Sequence, residues 1–386
     1  MPQVTNTTDE LASDRLMTVA DADTVTGLKT FSRGAGNAPF AVAAGQSVVT
    51  NLDADLLDGQ EGSYYRNASN LNAGTVPTAR LGTGTASSST VLRGDSSWGS
   101  VGFGLNVVEG RLTLTTGLPV TTSDVTAATT IYFTPYNGNV IVLYDGAAWN
   151  RLTFTERSIA VPSTTNTVYD VFAYDNAGTV TLETTAWTND TTRATALVLQ
   201  DGVLVRSGAV TRRYLGSFRT TGTSGQTEDS IARRLVWNYY NRHRRSLRRL
   251  ETTVSWTYTT STIRQANGST ANQVDCVVGY AGALIELSLF AAMSNGTTGI
   301  DGWVGIGEDG TGSVMPACAS SASHSGAGNA GRHATGGAHV STFPPIGYHF
   351  YTWLEWSEAV GTMTWHGDDS AASTPLRSGL VGYVEG

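Results

Sequence analysis

Four short connections restrict the folds open to this chain. Asn137-Gly138, Asp145-Gly146, Asp175-Asn176-Ala177-Gly178 and Asp201-Gly202 each lie between runs in which apolar and polar residues alternate. Asn-Gly and Asp-Gly tolerate the positive φ that a tight hairpin turn demands, and alternation at period two marks a half-buried strand. "TIYFTPYNGNVIVLYDGAAWNRLTF" therefore reads strand, turn, strand, turn, strand. "TVYDVFAYDNAGTVTLETTAW" and "ALVLQDGVLVRSG" repeat the pattern. The fold class expected is mainly β, with antiparallel β-sandwich or meander domains.

Composition agrees. Only 15% of the 386 residues are charged, and Thr, Ser, Asn and 44 glycines stand where Lys and Glu usually would. Lys29 is the only lysine and the net charge is −8, which weighs against a general nucleic-acid binder. Cys276 and Cys318 are far apart and read as buried free thiols, since no CxxC spacing exists. No segment reads as a signal peptide or a membrane span. The expectation is no metal, no cofactor, no nucleic acid and no membrane insertion.

The first hundred residues differ from the rest. Apart from one short helix start at "TTDELASDRL", their apolar pieces are four or five residues long and broken by Gly or Pro. No such piece can bury itself. Wound together in three copies, Leu52, Leu56, Leu57 and Tyr64 could form small stacked core layers, with the interleaved Asn, Asp and Gly left for turns and solvent. Residues 51–100 are thus read as an intertwined trimeric neck ending in a polar hinge. Arg93-Gly94-Asp95 within it reads as turn chemistry rather than a cell-adhesion signal.

Residues 229–250, "DSIARRLVWNYYNRHRRSLRRL", show the one helical period. At 100° per residue Leu235, Tyr239 and Leu247 share an apolar face, and seven arginines the other. The reading is an amphipathic helix docked by Leu235, Tyr239 and Leu247, its arginines meeting carboxylates of a neighbouring domain or subunit. A phosphate-binding role for that face is the lesser alternative. The domains expected are 1–50, 51–100, 101–228, the helix 229–250, and a β-sandwich over 251–386.

No nucleophile elbow, phosphate loop or HExxH is present. His324, His333 and His339, in a supposed loop 317–342, match no zinc spacing. Glu308-Asp309 and Asp368-Asp369 are adjacent in sequence, so strand alternation would point the members of each pair apart. No catalytic residue is assigned. The last domain is aromatic-rich, and Trp303, Tyr348 and Trp365 are the candidates for facing a receptor.

"VTNLDADLLDGQEGSYY" resembles the Leu-Asp-Gly linkers of bacteriophage tail fibres and related virion appendages. "TVLRGDSSWGS" looks like the hinge that follows in such fibres. "DTVTGLKTF", "NGNVIVLYDGAAWNRLTF" and "RRLVWNYYNRHRRSL" running into "SWTYTTSTIRQANGS" are similar to segments of phage minor structural proteins. The resemblance implies a non-enzymatic virion component: a homotrimeric tail fibre attached by residues 1–50 to a tail, baseplate or capsid protein. Its C-terminal domain would meet a host cell-surface glycan or protein. A capsid head fibre and a tailspike polysaccharide hydrolase are the alternatives.

Overall fold

Strand pairing carries the architecture. Val168–Asn176 and Thr179–Asn189 meet through the two-residue turn Ala177-Gly178, with φ of 49° and 85°. Leu197–Gln200 and Val203–Arg206 meet through Asp201-Gly202, with φ of 51° and 83°. Both central residues of each turn hold positive φ, the geometry that matches strand twist. Val140–Tyr144 and Trp149–Thr153 pair across Asp145-Gly146, where the Asp145 carboxylate accepts the N–H groups of Ala147 and Ala148, both at 2.8 Å. The Asn137-Gly138 turn is different. Its flanking strands lie in separate sheets, because Glu109 is inserted between them. Glu109 N–H donates to the Val140 carbonyl (2.8 Å), its carbonyl accepts Tyr136 N–H (2.8 Å), and its carboxylate accepts Val140 N–H (2.8 Å).

The computed structural model describes residues 56–57, 60–67, 75–87, 90–100, 104–297, 299–324, 334–368 and 376–386. The chain divides into two compact units, Met1–Gly99 and Ser100–Gly386. In the first, Leu56–Leu57 pairs with Gln60–Glu61, a single helical turn follows at Gly62–Arg66, and Thr90–Leu92 pairs with Trp98–Ser100. The connection at Arg93-Gly94-Asp95 is a turn, as its composition implies. Asp95 Oδ1 accepts both the backbone N–H (3.0 Å) and the hydroxyl (2.6 Å) of Ser97. Residues 1–50 and Leu52 lie outside the described residues, and only the backbone of Leu56 and Leu57 is described.

The second unit holds three large sheets. One has Val168–Asn176 at its centre, between Thr179–Asn189 and Ala209–Arg219. A second runs through Asp301–Glu308, Gly347–Ser357 and Gln273–Val278. The third runs through Gly379–Glu385, Ile285–Asn295 and Ala334–Thr342. The second and third form a sandwich. Val304, Ile306, Tyr351 and Trp353 of one join Leu287, Leu289, Met293 and Val340 of the other in a single buried cluster. The first sheet is covered on both faces. Val168 and Phe172 belong to the sandwich cluster, whereas Tyr169, Val171 and Ala173 pack on a second cluster with Ile131, Phe133 and Ile141. Each such fully buried aliphatic side chain contributes roughly 1.5–3 kcal/mol.

The helix expected at 229–250 does not form. Thr227–Asp229 and Arg233–Arg234 join the second sheet, Val236–Asn238 joins the first, and Arg244–Leu250 joins the third. One segment thus stitches three sheets together. Leu235 and Leu247 are buried, at 0% and 1% exposure, and Tyr239 packs on the same core, but from strands and turns. Arg and Leu favour helices intrinsically. Here that preference is overridden by a seven-residue ladder with Gly379–Glu385 and by buried carboxylates that receive the arginines. Asp229 accepts Arg234 Nη1 (2.9 Å) and Arg245 Nη2 (2.7 Å), and Arg233 bridges Glu228 and Asp275, both at 2.8 Å. Three of the seven arginines, Arg233, Arg234 and Arg245, thus meet carboxylates, and these belong to their own unit.

Candidate binding groove

Trp303 and Trp356 stand opposite each other on neighbouring strands, in register. The same register places Val304 against Glu355 and Ile306 against Trp353. Alternation therefore sends Val304, Ile306 and Trp353 into the core and turns Trp303 and Trp356 to the outer face. Trp303 also pairs with Ala322 on its other side. Arg264 pairs with Glu355, which sets Ile263 beside Trp356. Ile263, Trp356, Trp303 and Ala322 thus form one row across four adjacent backbones. With Ser261 and Asp301 they line an open groove of about 450 Å³.

The floor of this groove is fixed. Trp303 Nε1–H donates to Ser320 Oγ at 3.1 Å. Its ring lies over Gly305, where a Cβ would strike the ring carbons Cη2 and Cζ2. The ring takes the space that a side chain at residue 305 would fill. Beneath Trp356, Glu355 is fully buried. Its carboxylate accepts Trp256 Nε1–H (2.8 Å) and Arg264 Nε–H (2.8 Å). Burial pushes this carboxyl above the usual glutamate range, against the pull of Trp256 and Arg264. At the polar end of the groove, Asp301 N–H donates to the Glu358 carboxylate at 3.2 Å.

Of the three aromatics expected to face a receptor, Trp303 lines this groove and the others do not. Trp365 is buried, at 0% exposure. It alternates inward with Met363 while Thr364 and His366 take the other face. Tyr348 is half-buried under Arg219, whose guanidinium lies 3.8 Å from the ring centroid, and its hydroxyl donates to Asp275 (3.0 Å). Trp356, Asp301, Ser261 and Ile263 were not singled out by sequence. For Trp356 the signal is present in "TWLEWS": with Trp353 inward, period two turns Trp356 outward.

Other expected constellations are taken up internally. Asp309 leaves its strand at φ 53°, so alternation does not separate it from Glu308. Asp309 pairs with His349 Nδ1 (2.8 Å), and Glu308 accepts the Tyr351 hydroxyl (2.9 Å). The 317–342 stretch contains the strands Ala319–Ser320, Ala322–His324 and Ala334–Thr342, with residues 325–333, including His333, outside the described residues. His339 bonds to Ser288 Oγ at 3.1 Å. Asp368 pairs with Arg377 at 3.7 Å, and Asp369 lies outside the described residues. No group of three metal-ligating side chains occurs among the described residues, and none of their helices is long and apolar enough to cross a membrane.

No family model and no curated protein matches this chain. A crystal structure of a Bacillus thuringiensis Cry1Da tryptic core variant is similar over 62% of this chain and 48% of its own, at 8% identity and a TM-score of 0.17. The chain thus spans about half the length of that structure, and so slight a likeness carries no argument.

Proposed function

We propose that this chain is a non-enzymatic structural component of a phage virion: a homotrimeric tail fibre that attaches through residues 1–50 and presents residues 251–386 to a host-surface receptor. The virion setting comes from the sequence resemblance of the linker and hinge motifs. The observation that carries the trimer is the contrast between the two units. Ser100–Gly386 has its own core, whereas no described side chain of residues 63–99 is buried. Tyr64, Val76, Leu81, Val91 and Leu92 are all exposed, between 36% and 46%. A three-residue strand such as Thr90–Leu92, with no buried side chain, does not hold itself together in water. Further copies of the chain are the simplest source of the missing cover.

Light scattering on the full chain is the first test. The expected mass is three times the 40.6 kDa of one chain; a monomer would overturn the trimer. Immunogold labelling of intact virions with antibody to residues 251–386 tests the setting. Label at the tail tip or baseplate supports the fibre, and label over the head makes the chain a capsid fibre. Absence from every particle refutes the virion reading. Release of reducing sugar from host polysaccharide would overturn the non-enzymatic assignment.

A further inference from the structure

We infer that the Trp303–Trp356 groove is a saccharide-binding subsite, selective for neutral over anionic sugars. The inference rests on the receptor-binding reading for the source of its ligand, a host-surface glycan. The site itself is argued from its geometry.

The two indoles lie side by side on the outer sheet face, each partly buried and partly open to the groove. Their register sets them side by side on one face, and the Ser320 bond and the Gly305 cradle hold the first ring in place. A pyranose ring carries an apolar face of C–H groups and a rim of hydroxyls. The C–H face suits a flat indole, whose π cloud is negative at its centre. The hydroxyls need acceptors and donors at the edge, and Asp301 and Ser261 stand there. A volume of about 450 Å³ lies within the range of small-ligand sites. The groove is open and shallow, which suits a sugar within a chain rather than an enclosed apolar ligand.

Charge selects among sugars. Asp301 and Glu358 stand together at one end, their contact being the 3.2 Å bond from Asp301 N–H to the Glu358 carboxylate. An anionic sugar placed there would meet like charge, whereas a neutral hexose would not. Two other grooves lack such a pair of indoles. One on the opposite sheet offers Phe290 and His339 without a facing ring, and one beside Asp124–Thr130 is lined by Tyr132 and Leu114 with small and hydroxyl side chains.

The test uses the full-length protein on an array of immobilised neutral and acidic oligosaccharides, with dissociation constants for the best neutral ligand by calorimetry. Trp356→Ala should weaken binding roughly tenfold or more, the scale of one lost stacking contact. Phe343→Ala, at an exposed ring elsewhere in the unit (66% exposed), should leave it unchanged. Asp301→Asn should narrow the preference for neutral over acidic sugars. Trp356→Phe keeps a ring and should lose less affinity than Trp356→Ala, which separates stacking from collapse of the fold. Binding of the protein to host cells is measured in parallel. Saccharide binding that survives Trp356→Ala, or a protein that binds cells but no neutral saccharide, would overturn this subsite and leave the receptor reading intact. Absence of cell binding by the wild-type protein would instead count against the receptor reading. Saccharide binding abolished by Trp356→Ala would then still uphold the subsite.

Discussion

Ala177 holds φ at 49°, a conformation that costs an L-residue with a Cβ about 1–2 kcal/mol. The equivalent position of the second hairpin is Asp201, one of the residues that visit this region more readily. Replacing Ala177 by Gly removes the clash at the cost of extra freedom in the unfolded chain. Ala177→Gly should therefore stabilise the protein by about 0.5 kcal/mol, and Ala177→Asn by a similar amount, read as a shift in urea midpoint. A second residue-scale effect concerns pH. Burial opposes protonation of His349, but the hydrogen bond and charge of Asp309, with the Pro345 carbonyl on Nε2 (3.1 Å), outweigh it and raise its pKa above the ordinary value of 6.5. The folded state then holds this proton more tightly than the unfolded chain. The stabilisation is complete below pH 6.5 and is lost as pH rises through the folded value. The melting temperature of the wild type relative to His349→Gln should be highest near about pH 5.5 and fall toward about pH 8. A difference that is flat over this range would mean that the pair does not titrate there.

At the scale of elements, the segment 227–250 shows where reading the sequence succeeds and where it stops. The Asp-Gly hairpins were legible because turn chemistry is local: Asp201-Gly202 fixes its own φ values whatever surrounds it. Arg244–Leu250 was not, because its buried face alternates Arg245 with Leu247. A binary pattern that counts arginine as outward sees no strand there. The stretch "VWNYYN", poor in strong helix formers, was the contrary signal. What makes an inward Arg245 tolerable is Asp229, which is far from obvious before the sheets are assembled. Asp229→Ala should leave Arg234 and Arg245 buried without a carboxylate, their remaining bonds being to Ser246 and Thr121. The expected cost is about 3–5 kcal/mol in urea unfolding. Since Leu247 lies in the same segment at 1% exposure, Leu247→Ala should cost about 2–5 kcal/mol by cavity formation alone. A small effect of Asp229→Ala would mean that water or another acid reaches these arginines. The aromatic groove follows the same logic. The richness of the last domain in Trp was legible, but choosing Trp356 over Trp365 needed the register of two strands.

For the whole molecule, the two units imply different ways of holding together. Ser100–Gly386 carries two buried clusters joined through a sheet covered on both faces, so a single copy has what a stable fold requires. No described side chain of residues 63–99 is buried, and association is assigned to that end. Removing residues 1–99 should therefore leave a soluble monomer with a cooperative melting transition close to that of the full chain, while the full chain sediments as a trimer. An intertwined neck would also separate slowly, so the full-length trimer should persist on dilution for far longer than its affinity alone implies. The alternatives read out in the same experiment. A truncated chain that is still trimeric would place the contact on the sheets of the second unit, where the exposed Leu199 and Phe290, at 67% and 53%, would be the first positions to substitute. A truncated chain that fails to fold would mean that the two clusters need the neck, and that its exposed residues, such as Val91 and Leu92, contribute more than their exposure implies.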